Sequence, residues 1–409
     1  MMHSMNCTRE PSSDTAVAGA GVDHAAFASL SPPVWRASTV VFPSLDAFVT
    51  RKTRLPDGFT YGTTGTPTQR ALEARIASLD QASHCVIAPS GQAAICLAFL
   101  VSLQAGDHLL MTESAYGAAR TFATQHLAQL GVEVELYDPR IGAGIAQLFR
   151  SNTRLVWMES PGSITMEVQD VPAIVAAAAR HSILTAIDNT WASPLGFQAL
   201  SYGVDLCVQA CTKYMGGHSD VLMGSITMND SPLYRRVRQL QAVMGQAVSA
   251  EDCFLVSRGL DTLQVRLRQQ VSSAAKIAAA LQRHAMVCRL LYPSLASSPD
   301  HDLWRRDFVG TGSVFSLQLQ PAPYEAYSAL FSEFERFAIG ASWGGVHSIA
   351  AFYPAEEIAG RKYRPCDGPL IRLSIGLEDP DELIAELATA LQVFEQARTV
   401  PSNPPGVQP

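Results

Sequence analysis

Between residues 85 and 208 the chain alternates short apolar runs with longer stretches in which apolar positions repeat at helical spacing. The runs are CVIA (85–88), HLLM (108–111), VEVEL (132–136), LVWM (155–158), LTAI (184–187) and DLCV (205–208). Their recurrence every roughly 20 to 30 residues predicts βαβ units and a mainly parallel sheet. Ahead of them, Ala71, Leu72, Ile76 and Leu79 form the apolar stripe of a helix over residues 68–79. After Asp261 the pattern changes. A long helix is predicted over about 262–284, then alternating strands at 315–319 and 371–377. A last helix follows, with Asp379 as N-cap, Pro380 at its first position and Leu383, Leu387, Leu391 and Phe394 on its buried side. The expected organisation is an arm over 1–65, a large α/β domain over 66–260, a smaller α+β domain over 261–398 and a disordered tail over 399–409. Residues 1–30 are rich in Ala, Gly and Ser and are expected to fray, and Pro32, Pro33, Pro43 and Pro56 make 31–65 an extended arm rather than a packed helix.

Composition narrows the partners. Charged residues are 16% of the 409, against about 25% in ordinary soluble domains, which fits an oligomer that buries part of each subunit. A net charge of −7 argues against nucleic-acid or anionic-membrane binding. No apolar run approaches the roughly 20 residues that span a bilayer. Residues 1–11 lack the apolar core of a signal peptide, so the cytoplasm is the expected compartment. The eight cysteines are scattered, and Cys207 and Cys211 read as buried thiols rather than metal ligands, so no metal is expected.

The ligand of a parallel sheet sits beyond the carboxyl ends of its strands, and two reactive residues fall there. Lys213 follows the 205–208 run and Asp188 closes the 184–187 run. An amine and a carboxylate at two such ends are what a pyridoxal phosphate enzyme needs. The amine forms the Schiff base, and the acid keeps the pyridinium protonated so that the ring acts as an electron sink. After the 85–88 run, PSGQ (89–92) opens an apolar helix whose free N–H groups suit a phosphate. Gly91 permits close approach there and Thr212 adds a hydroxyl, although the same segment also fits an ordinary strand-to-helix turn. Tyr116, after the 108–111 run, can stack on a planar cofactor, serve in proton transfer, or lie half-buried at the surface. Arg372 projects from the strand face opposite Ile371, Leu373 and Ile375, where it can take a substrate carboxylate or an internal acid.

These residues sit inside longer motifs: PPVWRASTVVFP (32–43), YGTTGTPT (61–68), ESPGSITME (159–167), IDNTW (187–191), TKY (212–214), GHSD (217–220), SRGLDTL (257–263) and SWGG (342–345). With them, from residue 32 to 391, the chain resembles the Cys/Met-metabolism pyridoxal phosphate enzymes, and within these the bacterial cystathionine β-lyases. The resemblance implies a fold-type I, transferase-like α/β subunit with a mainly parallel seven-stranded sheet. It implies pyridoxal 5'-phosphate tethered to Lys213, paired with Asp188, stacked by Tyr116 and held at its phosphate by Gly91, Gln92 and Thr212. It assigns the substrate carboxylate to Arg372 with Ser342 and Trp343. It implies a dimer at least, and a tetramer by custom, with Tyr61 reaching the neighbouring subunit's phosphate. The implied activity is carbon–sulfur β-elimination from cystathionine or a related sulfur amino acid, with γ-synthase or γ-lyase chemistry as the alternative. A non-catalytic cofactor-binding regulator is a remote third. Three departures from the family pattern bear on this: Thr63 stands where many relatives have arginine, and Ala242 and Ala341 where tyrosines are expected. Both alanines are expected to enlarge the pocket near the substrate side chain.

Overall fold

The computed structural model describes residues 22–24, 27–363 and 367–398. The expected disorder of 399–409, and of most of 1–30, falls outside the described residues. Within 1–30, β1 (Val22–His24) and β2 (Phe27–Ser29) pair antiparallel. The arm also departs from a purely extended reading. Leu45–Val49 forms a short helix because the Ser44 side chain accepts the Ala47 N–H and caps it.

The large sheet contains β3 (His84–Ala88), β4 (His108–Thr112), β5 (Glu133–Tyr137), β6 (Thr153–Glu159), β7 (Leu184–Asp188), β8 (Leu206–Ala210) and β9 (Gly224–Met228). Its order is β3-β9-β8-β7-β6-β4-β5. Every pair from β8 to β5 is parallel, while β9 runs antiparallel to both β8 and β3. β9 was not among the expected strands, since its sequence GSITM mixes Gly, Ser and Thr with only two large apolar residues. In register, Ala88 pairs with Gly224 and Gly224 with Ala210. That brings the ends of β3 and β8 together, and with them the helix Gly91–Ser102 and the loop holding Lys213.

A second sheet has the order β10-β11-β14-β13-β12, from β10 (Val287–Leu291), β11 (Val314–Leu319), β12 (Ala338–Ile339), β13 (Ile349–Tyr353) and β14 (Leu370–Ser374). Its last strand is shorter than the expected 371–377. Past Ser374 the backbone leaves the ladder: the Gly376 N–H goes to the Ser348 hydroxyl and the Leu377 N–H to the Val346 carbonyl. The helix expected from 262 begins at Ala250 and runs to Leu281, so the division expected at 260 falls inside it. Ser249 supplies the cap by accepting the Asp252 N–H, with Glu251 and Asp252 in the first turn complementing the dipole.

One hydrophobic cluster joins the two sheets and includes Ile187, Trp191, Phe197, Phe308, Phe315 and Leu373. Phe197 stacks on Phe308 at 4.7 Å. The Trp191 indole donates to the Val314 carbonyl at 2.9 Å. The second sheet is thereby fixed against the strand ends of the first, and a cleft opens where they meet.

Candidate active site

Asp188 ends β7 as a half-buried carboxylate whose Oδ1 accepts from the Thr190 N–H (3.0 Å) and hydroxyl (2.5 Å). Thr190 Oγ1 in turn accepts the Ala210 N–H at 2.9 Å, so a hydroxyl from the β7 end orients the acid and ties it to β8. Burial raises the Asp188 carboxyl, against the Thr190 bonds and the Lys213 charge that favour the anion.

Lys213 lies three residues past β8, in a turn held by its N–H to the Ala210 carbonyl. Its Nζ donates to the Ser342 hydroxyl at 2.8 Å and stands 5.4 Å from the Trp343 ring. Burial, then the Arg372 charge, lowers the amine to about 8, with Asp188 opposing. Gly344 has φ +80 and lies against Lys213 Cβ and the Tyr214 backbone, so the SWGG turn needs its glycine to pack on the lysine loop.

Arg372, on β14, is buried and donates from Nη2 to the carbonyls of Ala341 (2.6 Å) and Ser342 (3.2 Å). Among the described residues it forms no ion pair. The internal-acid reading of this arginine therefore has no partner, and its guanidinium faces the cleft as an uncompensated cation.

Gly91 opens the helix Gly91–Ser102, capped by the Ser90 side chain. A Cβ at Gly91 would come within 2.7 Å of the Ala210 Cβ, so only glycine lets helix and strand end meet. The Gln92 amide donates to the Ala118 carbonyl at 3.3 Å, and its Oε1 is buried without a partner. The Thr212 hydroxyl bridges the Met223 N–H and carbonyl at 3.0 and 3.2 Å. Tyr116 is 47% exposed, and its N–H donates to Glu159 Oε2 at 2.7 Å.

A cavity of about 460 Å³ brings together Gly91, Gln92, Tyr116, Asp188, Thr212, Lys213, Trp343 and Arg372. Ser342 touches it through Lys213. Tyr61 does not join them: it is 52% exposed on the arm. Thr63 lines a different, small cavity with Arg70, Glu73 and Arg238. Ala341 does line the large cavity, whereas Ala242, on the helix Ser231–Val243, is not among the residues lining it in its own chain.

The cavity also holds residues the sequence reading passed over. Ser90 and Thr190 carry cap and orienting bonds that short motifs do not announce. Glu159 sits in register beside Asp188. Burial and then the Asp188 charge push its carboxyl well above the ordinary carboxylate range. The ESPGS motif could have signalled it, because an acid at a buried strand end needs a partner. Tyr353 and Glu357 complete the mouth.

The residues present fit pyridoxal phosphate. An amine, a half-buried acid and a set of helix N-terminal N–H groups surround one cavity, and a Cβ at Gly91 would clash with Ala210 where that helix begins.

The sequence model described as Cys/Met metabolism PLP-dependent enzyme matches residues 14–392. Cystathionine beta-lyase MetC of Escherichia coli strain K12 is 41% identical over 362 residues, covering 87% of this chain and 91% of its own. Cystathionine beta-lyase of Salmonella typhimurium is 40% identical, covering 88% and 93%. The solved structure of cystathionine gamma synthase from Xanthomonas oryzae pv. oryzae in complex with cystathionine superposes with a TM-score of 0.87 at 30% identity, covering 95% of this chain and 100% of that one.

Proposed function

The chain belongs to the Cys/Met metabolism PLP-dependent enzymes, and from that membership we propose a carbon–sulfur β-lyase that converts L-cystathionine and water to homocysteine, pyruvate and ammonia. The observation that carries it is the convergence of Lys213, Asp188 and an acid-free Arg372 on one cavity, beside 40–41% identity to two relatives bearing that name.

Pyridoxal phosphate, when bound, supplies the sink for the electron pair left when the Cα–H bond breaks. Gly91, Gln92 and Thr212 would hold its phosphate, Asp188 would keep the ring nitrogen protonated, and Tyr116 would pack on the ring. Arg372 grips the substrate carboxylate, aimed by its bonds to the 341–342 carbonyls. Lys213 would be the residue that tethers the cofactor, and its amine, when free, would take the α-proton. An amine lowered to about 8 has a neutral fraction ready to accept it near neutral pH. Ser342 Oγ holds that amine in place. Protonation of sulfur by Lys213 or Tyr116 lets the thiol depart from Cβ.

Incubating the purified enzyme with cystathionine tests this: pyruvate with homocysteine is expected, and 2-oxobutyrate with cysteine would replace it by a γ-lyase. The γ-synthase likeness of the fold and the small Ala341 favour a second reading, γ-replacement joining cysteine to an activated homoserine ester. Condensation of those two substrates, with cystathionine alone inert, would decide for it.

Three coarser points complete the proposal. The working unit is a dimer at least, and a tetramer by the family's custom, with Tyr61 supplied across the interface. Its exposure outside its own cavity supports this. The chain divides functionally near residue 260, with the helix Ala250–Leu281 shared by both parts. The cytoplasm is the compartment, supported by six described cysteines that are free thiols. No helix among the described residues is long and apolar enough to cross a membrane.

A further inference from the structure

Resting on the β-lyase reading, we propose that Tyr353 and Glu357 form the distal wall of the substrate cavity and select a leaving thiol that carries a protonated amine.

The wall is built outward from Arg372. In the second sheet Ala351 pairs with Arg372, and Tyr353, two residues on, shares its face. The Tyr353 ring lies 5.2 Å from the Arg372 guanidinium carbon. Glu357 follows four residues later on the helix Ala355–Ala359, and both side chains line the same cavity as Lys213. A substrate whose carboxylate engages Arg372 therefore extends its sulfur substituent along a surface that runs from Ala341 past Tyr353 to Glu357.

Glu357 is held there. One turn further, Arg361 is buried and donates to the Ser163 carbonyl (3.1 Å) and the Thr165 hydroxyl (2.8 Å). The Lys362 and Tyr363 N–H groups are both accepted by the Glu113 carboxylate, at 2.8 and 2.6 Å. These anchors fix the helix against the strand ends of the large sheet.

Among the described residues Glu357 forms no ion pair. Arg372 is committed to the 341–342 carbonyls and to a substrate carboxylate. Arg361 points into the 163–165 loop. Among the described residues the Glu357 carboxylate accepts no hydrogen bond. Ile95, Met166 and Leu222 add apolar lining, while the other acids of the cavity, Glu159 and Asp188, stand at the strand ends of the large sheet. An ammonium arriving at the mouth finds an anion and the electron-rich Tyr353 face, whereas an alkyl tail finds neither.

The test compares S-(2-aminoethyl)-L-cysteine with its uncharged isostere S-propyl-L-cysteine, reading kcat/KM by pyruvate release. Wild type should favour the amine by roughly two- to fivefold, the size of an exposed ion pair. Glu357→Gln should bring the ratio near one, and Glu357→Lys should invert it. A ratio unchanged between wild type and Glu357→Gln overturns the wall. If neither conjugate nor cystathionine yields pyruvate, the β-lyase reading fails instead. The same preference is then read from equilibrium binding of the two amino acids, followed by the cofactor's absorbance, with the same ratios supporting or sinking the wall.

Discussion

At Lys213 two neighbours compete over one proton. Burial and the Arg372 cation disfavour the ammonium, Asp188 favours it, and the balance falls at about 8. The amine captures its cofactor only when neutral, so the rate at which the cofactor-free protein takes up pyridoxal phosphate should rise with pH through about 8. Arg372→Leu removes one cation, so the amine should hold its proton to higher pH and the curve should shift upward. A curve that does not move would remove Arg372 from the balance. Glu159 makes a second residue-scale case. Burial and the Asp188 charge raise its carboxyl and disfavour the anion, and its Oε2 accepts the Tyr116 N–H. Glu159→Gln preserves acceptance without a charge, and should leave cofactor affinity and absorbance close to wild type. Glu159→Ala strands a buried N–H at a cost of about 1–3 kcal/mol and should loosen the Tyr116 turn, weakening cofactor affinity. Equal loss in both variants would mean that Glu159 works as an anion. Asp188 was legible because it closes an apolar run, and Lys213 because it follows one closely. Glu159 closes one too, and only its burial beside Asp188 gives it this meaning.

Among the elements, the helix Pro67–Leu79, the helix Ser231–Val243 and β3 are joined by one buried ion pair. Arg238 donates to both Glu73 oxygens at 2.8 and 2.7 Å and to the Cys85 carbonyl at 3.1 Å, and both charged side chains are 5% exposed. Burial alone would raise the Glu73 carboxyl, but Arg238 and Arg70 outweigh it and hold the group below 4.5. Removing one partner leaves an uncompensated charge, so Arg238→Met should lower the unfolding free energy by about 3–5 kcal/mol in urea titration. Glu73→Leu added to it should recover part of that loss. Because the folded carboxyl is depressed, this stabilisation is present above pH 4.5 and disappears as pH falls through the folded value. The variant's deficit should therefore shrink in acid; a deficit independent of pH would count against the pair. Helical and strand periodicity located these elements but not their pairing. The same limit hid β9, β10, β12 and β13: β9 has only two large apolar residues, β12 is two residues long, and β10 (VCRLL) and β13 (IAAFY) do not alternate.

For the whole molecule, the arm is the exposed part. Trp35, Val41, Leu45, Phe48, Val49 and Tyr61 are all exposed apolar or aromatic side chains. Such a patch on one chain marks an interaction surface, and the dimer proposed above would cover it and bring Tyr61 to the neighbouring cavity. Tyr61→Ala and Lys213→Ala proteins should each be inactive alone. Co-refolded as mixed dimers, they should regain about a quarter of wild-type activity, since random pairing gives half heterodimers with one intact site each. No recovery would place Tyr61 outside a shared site.

The order of apolar runs determined the parallel sheet, and it put Lys213 and Asp188 at strand ends, because side-chain period and strand-end chemistry are local properties of the chain. Tertiary structure decided what they meet. Ser342 lies 129 residues from Lys213 yet hydrogen-bonds it. Arg372, Tyr353 and Glu357 reach the same cavity only because the second sheet docks on the first through a shared hydrophobic cluster. That docking depends on complementary packing between distant segments, and no periodicity within either segment encodes it.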